Sequence, residues 1–530
     1  MLRIDELNFG FNDAENYRRK ENKELFNKIF VRTEELDKLL HTNIYFLLGE
    51  KGTGKTAYAV YLSNNYYKNH QCRINYIRET EYQKFITLKK EKHLQLSDYT
   101  SIWKVIICLL IAQKISEDEE DGSLLNSFFK FKNLKKAIDE YYSYAFTPEI
   151  IYAINFIENS KLAAELLSKY IKVGGELNTN ISFSESHFQT NLLFIQKEFE
   201  DALRSIKLKK NHLLFIDGID IRPGSIPHAD YLECIKGLAN AVWSINNDFF
   251  SSIKDSPGRM RVVLLMRPDI FVSLNLQNQN NKIRDNSILL DLITTYQDYR
   301  ISPLFKIVDQ LMSAQQKEKL DIGKAWDYYF PYKAVNFKTK RIEDSSFIPF
   351  LRSSFYRPRD FISMLSILKD NFIKKNKNST AVFQEEDFEE NDFKRNYSDY
   401  LLGEIKDHLT FYYSGKDYEL FLKYFQYLDG KINFTYEEFT SAFSKLYSYV
   451  SKNKLNMPDF MGSPDLFLQF IYELNVIGYL EEAKDEFFIH WCFKDRNYSN
   501  IAPKIRTHIR YVVHYGLSKA LNLGKPLVKR

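Results

Sequence analysis

The sequence predicts an α/β protein built on a parallel, three-layer sheet, and three observations carry that expectation. The run Asn43-Ile44-Tyr45-Phe46-Leu47-Leu48 is short, almost wholly apolar and ends at Gly49, as a strand buried on both faces requires. After Thr56 the residues AYAVYLSNNYYKN continue as a helix and lead to another strand candidate, Arg73–Ile77. Strand, glycine-rich turn, helix and strand in that order make a βαβ unit. Two more apolar runs, His212–Ile216 and Arg261–Met266, recur with helical stretches before and between them.

The elements follow in chain order. Residues 1–40 read as a polar lead and one helix, LFNKIFVRTEELDKLL, with apolar positions at helical spacing. Residues 41–335 form the sheet-bearing core, with a mostly helical insertion over about 98–205. Within it SEDEEDG reads as a surface turn and VGGELNTNISFSES as a loop or exposed hairpin. Beyond about 340 strands give way to short helices: a helical lid over 336–395, with a linker or exposed edge around 374–391, and then a C-terminal module over 396–530.

Composition bounds the function classes. The 530 residues suffice for roughly two to four domains. A net charge of +5, from 74 basic and 69 acidic side chains, is too mild to mark a nucleic-acid binder by itself. The chain is 15% aromatic, with 36 Tyr and 42 Phe; AT-rich codon usage accounts for rings spread this evenly better than a stacking surface does. Cys72, Cys108, Cys234 and Cys492 lie far apart with no metal-ligand spacing, and read as buried free thiols of a reducing compartment. The first residues lack the apolar stretch of a signal peptide, and the most apolar run, Val105–Ala112, is too short to span a bilayer. The expectation is a cytoplasmic protein without membrane partners.

The chemistry sits in Gly49-Glu50-Lys51-Gly52-Thr53-Gly54-Lys55-Thr56, followed by Ala57, which fits GxxxxGK[ST] at every required place. Glycines let such a loop curl so that backbone N–H groups point inward, and the next helix offers its positive end to phosphates. Lys55 is placed to reach β- and γ-phosphates, and the Thr56 hydroxyl to ligate Mg²⁺. The expected cofactors are therefore ATP (GTP as the lesser option) and Mg²⁺. Mg²⁺ also needs a carboxylate at a strand tip, and Asp217, first after the second apolar run, supplies it. Asp220 either orients an attacking water or caps a turn before Pro223-Gly224. Arg267, at the end of the third run, either senses a γ-phosphate or satisfies strand-end carbonyls. Arg359, in the helix opening YRPRD, either swings onto the phosphates or stays solvated. The basic stretch Lys84–Lys92 reads as a solvated loop before it reads as a binding surface.

In this order GEKGTGKT, LLFIDGID, LLMRP and RPRDF resemble Walker A, Walker B, sensor 1 and sensor 2 of AAA+ and STAND-class P-loop ATPases. The resemblance implies a parallel P-loop sheet of the ASCE type. DGID is similar to the DGxDE of NACHT-like members, with Ile221 in place of the final acid, a departure that bears on hydrolysis. FVRTEELDKLL is similar to the segment that contacts adenine in STAND and origin-recognition ATPases, with Arg32 and Glu34 matching and Val31 in place of glycine. The opening FGFNDAE and the layout also resemble a little-described prokaryotic P-loop ATPase family met near mobile-element and phage-defence genes. The likeness covers residues 9–370.

A second likeness lies further on. LFLQFIYELNVIGYL reads as a helix ending in a turn at Gly478, and Phe487–Phe493 as a strand, which resembles the second half of a winged helix. Lys494, Arg496, Lys504, Arg506, Arg510 and Lys519 make the region basic, either as a solvated face or as phosphate contacts. The leading expectation is an ATP-dependent switch with slow ATPase activity. It would act as a homo-oligomer, assembling or controlling a protein effector in antiviral defence. The alternative is an initiator- or transposition-like ATPase that binds DNA through the winged helix.

Overall fold

The computed structural model describes residues 1–77, 96–118, most of 196–222, 226–336, 340–375, 382–483 and 486–524. Two compact units divide the chain: Glu34–Leu48 with Lys55–Ile288, and Met1–Thr33 with Gly49–Gly54 and Leu289–Arg530. The sequence-predicted loop VGGELNTNISFSES, the stretch Lys84–Lys92 and the pair Pro223-Gly224 lie outside the described residues, as does most of the insertion.

The first unit carries the sheet. Its strands are β1 (Phe46–Leu48), β2 (His70–Tyr76), β3 (Asn211–Asp217), β4 (Met260–Met266) and β5 (Ser287–Leu289). They stand in the order β2-β3-β4-β1-β5, and the ladders β2–β3, β3–β4 and β4–β1 are parallel. β1 and β4 are buried at every position, as their apolar composition demands, whereas β2 at the edge is only half-buried. That edge position leaves Cys72 partly exposed while Cys108, Cys234 and Cys492 are buried free thiols.

Helices cover this sheet. The helix Lys55–Asn64 follows β1 directly and packs on β2, while His228–Ser244 packs on β4. Leu96–Asp118 opens the expected insertion but is a core helix: Trp103, Ile107, Cys108, Ile111 and Ile115 are all buried, and it packs on His228–Ser244 and on β3. The N-terminal helix expected over LFNKIFVRTEELDKLL is instead two, Lys20–Ile29 and Glu34–Lys38. Phe30 is already extended, β-branched Val31 and Thr33 hold helix poorly, and the acids Glu34 and Glu35 suit a fresh helix start.

The second unit is mostly helical, and its aromatic content goes into packing. Trp326 stacks on Phe330 at 4.2 Å, Phe330 on Phe383 at 4.9 Å, and Phe347 on Phe361 at 5.1 Å. Phe383 is fully buried and Phe388 nearly so, and residues 385–389 form a helix, so much of the expected linker around 374–391 belongs to the core. Strands also recur beyond 340, where the sequence expected only Phe487–Phe493; that one runs Glu486–His490 and gives way to a short helix at Cys492–Asp495. β6 (Lys333–Val335) pairs with β7 (Ile342–Ser345). β8 (Asn433–Thr435), β9 (Ile477–Ala483), β10 (Glu486–His490) and β11 (Arg510–Val513) form an antiparallel sheet in the order β10-β9-β11-β8.

The helix read as Leu466–Leu480 spans Pro464–Glu473, with Ser463 capping its start through the Leu466 amide. Asn475, in the left-handed region at φ 60°, ends it and lets Ile477–Leu480 enter β9. Gly478 is therefore a strand residue and not a turn: a Cβ there would lie 2.7 Å from the His490 carbonyl oxygen. No helix among the described residues is long and apolar enough to cross a membrane.

Candidate phosphate-binding site

In the sheet-bearing unit, parallel pairing puts the C-terminal ends of β1, β3 and β4 on one edge. Ile216 lies opposite Leu264, which lies opposite Phe46, so Asp217 stands level with Leu265 and Leu47. Sheets of this kind bind ligands at that edge, where the chain order reverses beside β1.

Lys55 and Thr56 open the helix after β1. The Thr56 hydroxyl donates to Asp217 Oδ2 at 2.6 Å, although β4 separates the strands that bring them there. Lys55 is 7% exposed, a buried cation at a helix N-terminus. Asp217 is equally buried. Burial pushes its carboxyl up to about 6 and the nearby charge of Asp220 adds to the rise; the Thr56 hydroxyl, the Gly218 amide and Lys55 oppose it. Asp220 is half-buried three residues past the strand end, between buried Ile219 and exposed Ile221. Lys55, Thr56, Asp217 and Asp220 are thus brought together. Ala57 is in the first turn of the same helix.

Arg267 follows β4 directly, is 1% exposed and is held bidentately by Asp269, with Nε 3.0 Å from Oδ1. The pairing occupies the fork of donors that the sequence assigned to a phosphate. A γ-phosphate could engage this guanidinium only by competing with Asp269.

In the second unit, the segment Gly49–Gly54 is bound closely by Arg357, Arg359, Glu404, Asp407 and Arg496. Gly52 and Gly54 take φ values of +88° and +106°, which L-residues rarely adopt, and a Cβ on Gly52 would sit 3.1 Å from Arg359 Cβ. Thr53 folds back through its amide and its hydroxyl, both onto Glu50 O. Arg357 Nη1 donates to Lys51 O at 2.8 Å while Asp360, fully buried, grips the same guanidinium at 2.6 Å.

Glu404 collects three cations: Lys51 Nζ at 3.3 Å, Arg357 Nη1 at 3.6 Å and Arg359 Nη1 at 3.5 Å. Burial would raise its carboxyl, but Arg357, Lys51 and Arg359 together hold it below the usual range. Asp407 adds a 2.8 Å pair to Lys51, and Arg496 pairs with Glu50. Arg359 also donates from Nε to Asn12 O at 3.0 Å, so it is anchored and not solvated.

Lys51, assigned to cofactor from the sequence, here faces Glu404 and Asp407. Arg32 is exposed in the extended stretch after Lys20–Ile29. Of the C-terminal basic residues, Arg496 is 6% exposed and Lys494 is largely buried, its amine lowered to about 8 by desolvation; neither belongs to a solvated face. The Arg357–Asp360 pair had a signal in the sequence, an i,i+3 spacing at a helix start; Arg496 stood only in the basic C-terminal set, and Glu404 and Asp407 had no signal.

No protein-family model matches this chain, and neither a curated protein nor a solved structure matches it significantly.

Proposed function

We propose that this chain is a P-loop nucleotide-binding protein that holds Mg-ATP through Gly49–Thr56 and hydrolyses it slowly as a molecular switch. The observation that carries the reading is the Thr56–Asp217 hydrogen bond, which joins the end of the glycine-rich segment to an acidic strand tip in a parallel sheet. Left-handed Gly52 and Gly54 and a buried lysine at a helix N-terminus fit an anion in the same segment. The raised Asp217 carboxyl fits a divalent cation as well, because a neighbouring positive charge would relieve both its burial and its repulsion from Asp220.

Thr56 and Asp217 would hold the Mg²⁺, directly or through water, and the metal when bound supplies charge neutralisation at the phosphates. Lys55 would neutralise the β- and γ-oxygens, and the amides of the curled loop would orient the chain of phosphates. Asp220 would position the attacking water. Ile221, exposed where related motifs carry a second acid, supports slow turnover. Arg267 would sense the γ-phosphate in exchange for Asp269, and Arg32 would lie toward the base.

The AAA+/STAND-like motif order supports a switch whose output is homo-oligomerisation or control of a protein effector, in antiviral defence by analogy alone. The pairs Glu50–Arg496 and Lys51–Glu404 support a lid and C-terminal module that respond to the state of the loop. A DNA-directed reading rests on β9 and β10 following the helix Pro464–Glu473 as a wing would, with Phe487 and Phe488 about half exposed.

The test is ATP binding and hydrolysis by the purified chain beside Lys55→Ala and Asp217→Ala. Turnover abolished in both variants supports the assignment; a wild-type chain that neither binds nor hydrolyses ATP refutes it.

A further inference from the structure

A pocket of about 570 Å³ lies within the unit dominated by Leu289–Arg530, and none of its lining residues belongs to the cluster around Gly49–Gly54. Its volume is in the range of small-molecule sites. Five rings line it: Tyr332, Phe388, Phe393, Tyr397 and Tyr515. Water gains nothing from such walls, whereas a planar ligand gains both stacking and apolar burial.

Polar groups converge on the same space. The Tyr332 hydroxyl is buried and has no hydrogen-bond partner among the described residues. Desolvation first, and the acids Glu385, Asp387 and Glu389 after it, push its phenol far up, so it remains a protonated donor. Two lining cations are already neutralised, Lys394 by Glu389 and Arg352 by Asp344 at 2.8 Å. Two lining charges are not. Among the described residues Glu385 forms no ion pair, and Lys519 reaches only Asn391 Oδ1 at 3.4 Å.

An aromatic cavity with one uncompensated carboxylate and one uncompensated ammonium calls for a planar ligand with a donor edge and an acidic group. A free aromatic amino acid satisfies both charges but leaves much of the volume empty. We propose that this pocket binds a small nucleotide whose base carries an exocyclic amino group. The base stacks among the rings, the amino group donates to Glu385, and the phosphate lies at Lys519. Tyr332 donates to a ring nitrogen or carbonyl of the base.

Isothermal titration of the full chain with AMP and CMP tests this, with IMP and UMP as partners lacking the amino group. AMP or CMP should bind in preference to IMP and UMP, and Lys519→Glu should weaken binding by about tenfold or more. Glu385→Gln should narrow the gap between AMP and IMP, and that gap should persist in Lys55→Ala. Lys519 and Glu385 are partly exposed, so neither substitution threatens the fold, and unchanged thermal melting checks this. The proposal is overturned by four results. These are no saturable binding up to about 1 mM, affinity unchanged in Lys519→Glu, binding lost in Lys55→Ala, or inorganic phosphate or phenylalanine binding as tightly as AMP. The Lys55→Ala arm also separates this site from the phosphate loop, since it fails only if the ligand sits there.

Discussion

Thr56 Oγ1 and Asp217 Oδ2 lie 2.6 Å apart although 161 positions separate them in the chain. One residue opens the helix after β1; the other ends β3, two strands away. A hydroxyl and a carboxylate held this close by rigid elements form half of a hard-cation site, needing only phosphate oxygens and water to complete it. Thr56→Ala should therefore weaken Mg²⁺-dependent nucleotide binding by about 10- to 100-fold, with Thr56→Ser close to wild type. Titrating Mg²⁺ at fixed ATP reads this out. An alanine variant with wild-type Mg²⁺ dependence would remove Thr56 from the metal site.

The Asp217 carboxyl gives a second, independent handle. Its folded value of about 6 is raised above the ordinary 3.8, so the folded chain binds this proton more tightly than the unfolded one. The group's contribution to stability is complete below the unfolded value and is lost as pH rises through about 6. Asp217→Asn, which cannot ionise, should gain in melting temperature relative to wild type as pH rises through that window. Mg²⁺ with nucleotide should close the gap, by favouring the ionised carboxylate. Parallel melting curves across the same pH range would mean that Asp217 is not a buried, repelled acid.

Asp360 is fully buried against Arg357, whose guanidinium also holds the Lys51 carbonyl. Asp360→Ala leaves a buried guanidinium with only the more distant Glu404, at a cost of about 3–5 kcal/mol. Lys51→Ala removes a partly exposed cation and should cost no more than about 1 kcal/mol. Denaturant unfolding distinguishes the two. Equal losses would mean that the Arg357 pairing is not what fixes this segment.

These residues also mark where the sequence stopped being readable. β1, β3 and β4 were visible because a strand buried on both faces must be a short apolar run bounded by a turn or a charge. Half-buried β2 was visible only as the candidate Arg73–Ile77 that completes a βαβ unit. Their spatial order was not visible, since nothing in the runs says that β4 lies between β1 and β3. β5 escaped because three residues show no period. Leu466–Leu480 kept a helical apolar pattern through Asn475, and only the left-handed backbone there reveals that Ile477 starts a strand. Thr56 and Asp217 were chosen for their chemistry and the fold puts them in contact. Glu404 is an ordinary acid on a long helix until three cations are found around it.

The C-terminal basic residues decide between the switch and the DNA-directed readings. Arg496 is spent on Glu50, Lys494 is buried beside Tyr356, and Arg506 is paired with Glu481 at 2.7 Å. Lys504 lies 3.9 Å from Glu473. Each cation already facing a carboxylate releases fewer counterions on meeting a phosphate, so affinity for duplex DNA should be weak and its salt dependence shallow. ATP turnover should then change by less than about twofold when duplex DNA is added at low salt, a difference too small to signal coupling. The measurement is steady-state hydrolysis across a salt series, with and without DNA. Stimulation that falls steeply with salt would show that these pairs open on DNA, and would put the β9–β10 hairpin to work as a wing.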